Sequence, residues 1–135
     1  MRSILSKVNH TFAAGCFGGV VNSMIVWLSD HYHLTYLMGV QLSPSFSFSW
    51  LYPRIVWGGI WGFLFLLPLR EGSTVKRGLL LSLGPTFVQL FVVFPYKTNK
   101  GLMGMDLGTL TPLLVFIFNA FWGVATALWL KAARG

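Results

Sequence analysis

Four apolar stretches, each about as long as a bilayer is thick, restrict this chain more than anything else in it. They run from about His10 to Ser29, Trp50 to Leu69, Gly78 to Pro95 and Thr109 to Leu130. About 20 residues of α-helix cross the roughly 30 Å of hydrocarbon in a membrane. Buried strands of a soluble α/β protein also read as continuous apolar runs, but they are much shorter and alternate with polar helices. No such polar helices separate the runs here.

The composition agrees with lipid as the solvent. Charged residues make up 10% of the 135 and hydrophobic residues 55%, with a mean hydropathy of +0.68. A soluble domain carries about 25% charged residues to cover a wet surface. The formal charge of +7 would suit a nucleic-acid partner if Lys and Arg gathered on one face beside stacking aromatics. Instead they bracket the apolar runs, where they set topology, and no nucleic-acid partner is expected. Arg2 and Lys7 precede the first run as in a signal peptide. That run is too long and no A-x-A site follows it, so it is expected to remain as an uncleaved first span.

Counting cations in the connections orients the chain. One side holds Arg2, Lys7, Arg70, Lys76, Arg77, Lys131 and Arg134; the other holds Lys97, Lys100 and Arg54. Seven against three puts the N-terminus, middle loop and C-terminus in the cytoplasm. Trp27, Trp50, Tyr52, Tyr96 and Trp129 lie near the proposed ends, where amphipathic rings favour the headgroup region. The expected architecture is all-α and polytopic: one membrane domain over 1–135, a compact bundle of four transmembrane helices in the cell membrane (the inner membrane of a Gram-negative cell). The connection from Asp30 to Ser49 is long and alternates Ser with Phe from Ser45 to Trp50, an extended pattern. That from Tyr96 to Gly108 is rich in Gly and Met and reads as flexible. Gly59-Ile60-Trp61-Gly62 ahead of Arg70 matches Ala120-Phe121-Trp122-Gly123 ahead of Lys131, which suggests two repeated helical hairpins.

Two sets of residues are candidates for more than filling. Gly15, Gly19 and Ser23 recur at every fourth position, with Gly18 and Asn22 in the adjacent row; Gly58 and Gly62 follow in the second segment and Gly123 in the fourth. Small residues at this spacing let helix backbones approach closely, and such contact holds helices together in lipid. The faces serve packing within the chain or docking on a second copy or another subunit. The other set is polar. Asn22, Gln89 and Asn119 fall within about 5 Å of the midplane by residue count at 1.5 Å per residue, and Thr86 shares a face with Gln89. Bonding between helices is the plain role, worth about 0.6 kcal/mol each; a midplane site for a solute is the sharper one. Arg54, about one turn inside the second segment, is expected to snorkel to the headgroups; otherwise it binds an anion or pairs with Asp30 or Asp106.

Several chemistries are not written in this sequence. Asp30, His31 and His33 are spaced awkwardly for a metal on a helix, and facing histidines for a haem are lacking, so no metal or cofactor is expected. All three carboxylates lie in connections, whereas proton-coupled pumps bury one. No nucleophile–base pair, P-loop or H-E-x-x-H occurs, and no catalytic residue is assigned. Cys16 is alone, which rules out an intrachain disulfide. The expected function is that of a non-enzymatic multi-pass protein working through helix packing, an accessory subunit of a membrane complex or a homo-oligomer, with the bilayer and other subunits as partners. The alternative is a channel or carrier for a small neutral or anionic solute, lined by the midplane amides.

Overall fold

The computed structural model describes residues 4–40, 47–67, 73–97 and 99–133. Expectations for Arg2, Leu69, Arg70, Glu71, Arg134 and the Ser45-Phe46 stretch lie outside these. All secondary structure in the described residues is helical. Helix α1 spans Ile4–His31 without a proline to interrupt it. A short turn, α2 (Leu34–Leu37), follows. Helix α3 (Phe48–Gly62) begins at Ser47, whose extended backbone (φ −150°, ψ 162°) lets its hydroxyl accept the Trp50 N–H at 3.2 Å. This is an N-cap, and it turns Phe48 to Trp50 helical where alternation had predicted extended chain. A 3₁₀ turn, Phe63–Leu66, prolongs α3.

The third apolar segment is broken twice. Helix α4 covers Thr74–Leu81, α5 Leu83–Val88, and a π-helical stretch Gln89–Lys97 completes it. Pro85 has no N–H to return to the Leu81 carbonyl, and Pro95 withdraws a second donor. Helix α6 (Thr111–Ala133) carries Pro112 in its first turn, where the missing N–H is harmless. Three helices are long and apolar enough to cross a membrane: Ile4–His31, Thr74–Lys97 and Thr111–Ala133. The α-helical part of the second segment is only 15 residues. Nor is the expected hairpin duplication visible, because α1 is unbroken while its counterpart Thr74–Lys97 is not.

Helix α1 stands between α3 and α6, antiparallel to both, and the α4–α5–π segment packs against α6. The small residues fill these crossings. A Cβ on Gly15 would run into the backbone of Gly58 and Gly62, one on Gly19 into Arg54 and Ile55, and one on Gly18 into Trp122 and Thr126. Gly123 meets Gly78 in the same way across α6 and α4. These faces are used within the chain, which removes the helix-packing argument for a homo-oligomer built on them.

The distribution of polarity is inverted relative to a soluble protein. Thr11, Asn22, Ser23, Thr86, Asn119 and Thr126 are buried, while Phe63, Phe87, Val92, Leu113, Phe121 and Leu128 are exposed. The Tyr96–Gly108 connection, read as flexible, is folded back on the bundle. Lys100 N–H donates to the Phe94 carbonyl at 2.8 Å, Gly104 packs against Phe94, and Leu107 joins a core cluster with Val40 and Leu114.

Candidate functional site

The arc α3–α1–α6–α5 leaves a gap between its two ends, and the polar residues collect there. Leu64 and Trp61 lie against Gly84 at the base of the gap. Arg77 reinforces this end by donating to the carbonyls of Phe65 and Leu67, the latter at 3.0 Å, with its guanidinium 5.3 Å from the Phe65 ring centroid. Above this closure a cleft of about 470 Å³ opens, with Asn22, Arg54, Gln89, Asn119 and Lys97 on its polar lining. Trp57, Trp61, Pro85, Val88 and Val92 supply most of its apolar wall.

Arg54 does not snorkel. Its Nε donates to Ser23 Oγ at 2.8 Å and its Nη2 to Asn22 Oδ1 at 2.5 Å, and the Trp50 ring lies 4.8 Å from the guanidinium carbon. Neither Asp30 nor Asp106 takes part in this network. The inward turn follows from what faces it: Gly19 brings α3 so close to α1 that Ser23 and Asn22, one turn on, present oxygens directly to the guanidinium. Asn22 passes the interaction on, its Nδ2 donating to the Phe118 carbonyl at 2.7 Å.

The second half of the network sits on α5 and α6. Thr86 donates its hydroxyl to the Ser82 carbonyl at 2.8 Å, so its oxygen is left to accept from Asn119 Nδ2 at 3.2 Å. Asn119 Nδ2 also reaches Gln89 Oε1 at 3.4 Å. A carbonyl can only accept and a guanidinium can only donate, so these chains fix the amide orientations of Asn22, Asn119 and Gln89. Arg54 Nη1, Gln89 Nε2 and Asn119 Oδ1 are left without a hydrogen-bond partner among the described residues. The cleft is therefore rich in unused donors. Between the two halves, the Trp122 indole N–H is shared by the carbonyls of Gly15 and Gly58, 3.3 Å from each.

No family model, curated protein or solved structure matches the chain. The reading of the site therefore rests on its chemistry. The cleft brings together four of the five polar candidates, Asn22, Arg54, Gln89 and Asn119, and Thr86 supports Asn119 from behind. The small-residue candidates Gly15, Gly18, Gly62, Ser23 and Gly123 lie in helix crossings, and Gly19 and Gly58 also border the cleft.

Sequence reasoning missed Lys97, Trp57 and Trp61 as lining residues and Trp122 as the link between helices. Lys97 was read only as a topology charge, although a lysine following Pro95 and Tyr96 at the end of a polar-faced segment was a usable signal. Arg77 was also read as a flanking charge, yet it is 8% exposed. Among the described residues no group of three or more His, Cys, Asp or Glu side chains is placed to hold an ion, the Asp30–His33 stretch included. His31 instead stacks on Trp27 at 5.0 Å.

Proposed function

We propose that this is a four-span membrane protein whose cleft binds a small polar solute of negative charge, as a carrier. The second crossing is α3 with its 3₁₀ turn, 15 and four residues long. At 1.5 and 2.0 Å per residue these reach about 30 Å, enough for the hydrocarbon core. In this arrangement Lys7, Lys76 and Lys131 share the end assigned to the cytoplasm, and Lys97 and Lys100 the opposite end.

The observation that carries the proposal is the meeting of Arg54 with Gln89 and Asn119 on one cleft. A cation held within an apolar protein, with polar groups beside it and no carboxylate among the described lining residues, is costly unless something negative uses it. Transporters place substrates near the midplane where helices are interrupted, and the third segment is interrupted at Ser82 and Gln89, beside the cleft. A volume of 300–1,000 Å³ is usual for small-molecule sites.

Two measurements test this. In a Cys16→Ala background, a cysteine at position 89 is expected to react with a small water-soluble maleimide while one at position 114 does not, since Leu114 is 2% exposed. Proteoliposomes are expected to take up a labelled small anion, with Asn119→Leu abolishing flux while retaining helix content. An unreactive position 89, or no flux above empty vesicles across a panel of small anions, overturns the carrier reading. An accessory-subunit role keeps one surface in its favour, a shallow groove where α1 and α6 meet at Asn9, Ala13, Trp129 and Ala132. Recovery of a stoichiometric second protein from mild detergent would favour that role.

A further inference from the structure

We infer that the ligand of the cleft is the phosphate headgroup of an anionic phospholipid, which enters sideways through the gap between α3 and the π-helical stretch. The inference rests on the reading of the cleft as a binding site and names its ligand.

Donor counting points to a phosphate. Arg54 Nη1 and Gln89 Nε2 each have two N–H groups without a partner among the described residues. Lys97, exposed at the end of the same cleft, adds an ammonium with three. Against these seven donors the side chains lining the cleft offer one acceptor atom without a partner among the described residues, Asn119 Oδ1. A neutral solute would need a more even balance. A phosphate has several acceptor oxygens and a charge, and charge-assisted bonds from Arg to phosphate are the stronger kind.

The walls point to a lipid. Pro53, Trp57 and Trp61 of α3 line the cleft on one side, and Pro85, Val88 and Val92 of the third segment line it on the other. The side rim is made of Trp57, Val88 and Val92, which are 59%, 36% and 46% exposed. In a bilayer this rim faces hydrocarbon. A free anion would have to pass it at a large desolvation cost, whereas a lipid leaves its chains in the membrane and brings only its headgroup inward. The cleft, at about 470 Å³, has room for a phosphate and the glycerol attached to it.

The test is native mass spectrometry on delipidated protein in mild detergent, titrated with dioctanoyl phosphatidylglycerol, dioctanoyl phosphatidylcholine or inorganic phosphate. One phosphatidylglycerol is expected to be retained per chain, with phosphatidylcholine at background and excess inorganic phosphate failing to displace the bound lipid. Lys97→Gln, at an exposed side chain, is expected to weaken retention about fivefold, the effect of one cation near an anionic headgroup. Arg54→Gln is expected to weaken it at least about tenfold. Lys76→Gln, outside the cleft, is expected to leave it unchanged. Equal retention of both lipids, or equal losses in the Lys76 and Lys97 variants, overturns the lipid assignment. Binding of inorganic phosphate without either lipid overturns the lateral route but leaves an anion site in place. Binding of none of the three overturns both this inference and the function on which it rests.

Discussion

A methyl group added at position 15 faces the backbone of α3. The Cβ of an alanine there would strike the Gly58 carbonyl and lie 2.8 Å from the Gly62 Cα, and neither can rotate away. The same change at Gly84 meets Trp61 at an ordinary 3.6 Å and comes too close only to the end of the Leu64 side chain, at 2.8 Å, which can. Gly15→Ala is therefore expected to cost about 1–3 kcal/mol, the usual range for overpacking, and Gly84→Ala less than half of that. Thermal unfolding in detergent checks the pair, and equal stabilities would mean that α1 and α3 are not in backbone contact. Arg77 offers a second contrast. Its guanidinium serves the Phe65 and Leu67 carbonyls at the end of the 3₁₀ turn, positions that apolar surroundings would leave unpaired. Arg77→Met is expected to lose about 2–3 kcal/mol, since bonds from charged donors exceed neutral ones. Loss of no more than Lys76→Met would show that the clamp is not made.

Among the elements, the third apolar segment departs most from expectation. Two prolines and a π-helical stretch divide it, and such stretches recur at functional sites because their wider turn strains the ladder. Amides of residues 90–94 are expected to exchange with deuterium faster than those of residues 115–123 in α6, because local stability is lower where the ladder is strained. Equal protection would mean that the segment is one rigid helix. The four apolar runs and the inward amides were legible in the sequence because hydrophobicity and side-chain polarity are local properties. The direction of Arg54 was not, since it depends on Gly19 bringing α3 within reach of Ser23, a contact between residues 35 positions apart. The order of the Tyr96–Gly108 connection was also hidden. Met103 and Gly104 adopt left-handed backbone (φ 60° and 70°), a conformation supported by non-local contacts such as the packing of Leu107 and the bond from Lys100 to Phe94.

For the whole molecule, the proposed four crossings and the cation asymmetry combine into one measurable orientation. In the Cys16→Ala background, a cysteine at position 73 is expected to be labelled by an impermeant maleimide only from the cytoplasmic face, and one at position 100 only from the opposite face. Reversed or two-sided labelling would overturn the topology and, with it, the placement of Lys97 at the outer leaflet. The order of the arc also has a bearing on biogenesis. Helix α1 is synthesised first, yet the carbonyl that Asn22 needs belongs to Phe118, 96 residues later in the chain, and Trp122 arrives later still to join α1 to α3. Until the last helix is synthesised, an α1–α3 hairpin can satisfy Arg54 through Ser23 and Asn22 but leaves the Asn22 amide N–H without the Phe118 carbonyl. A chain made in this order is therefore expected to complete the α1–α3 pair only when α6 arrives.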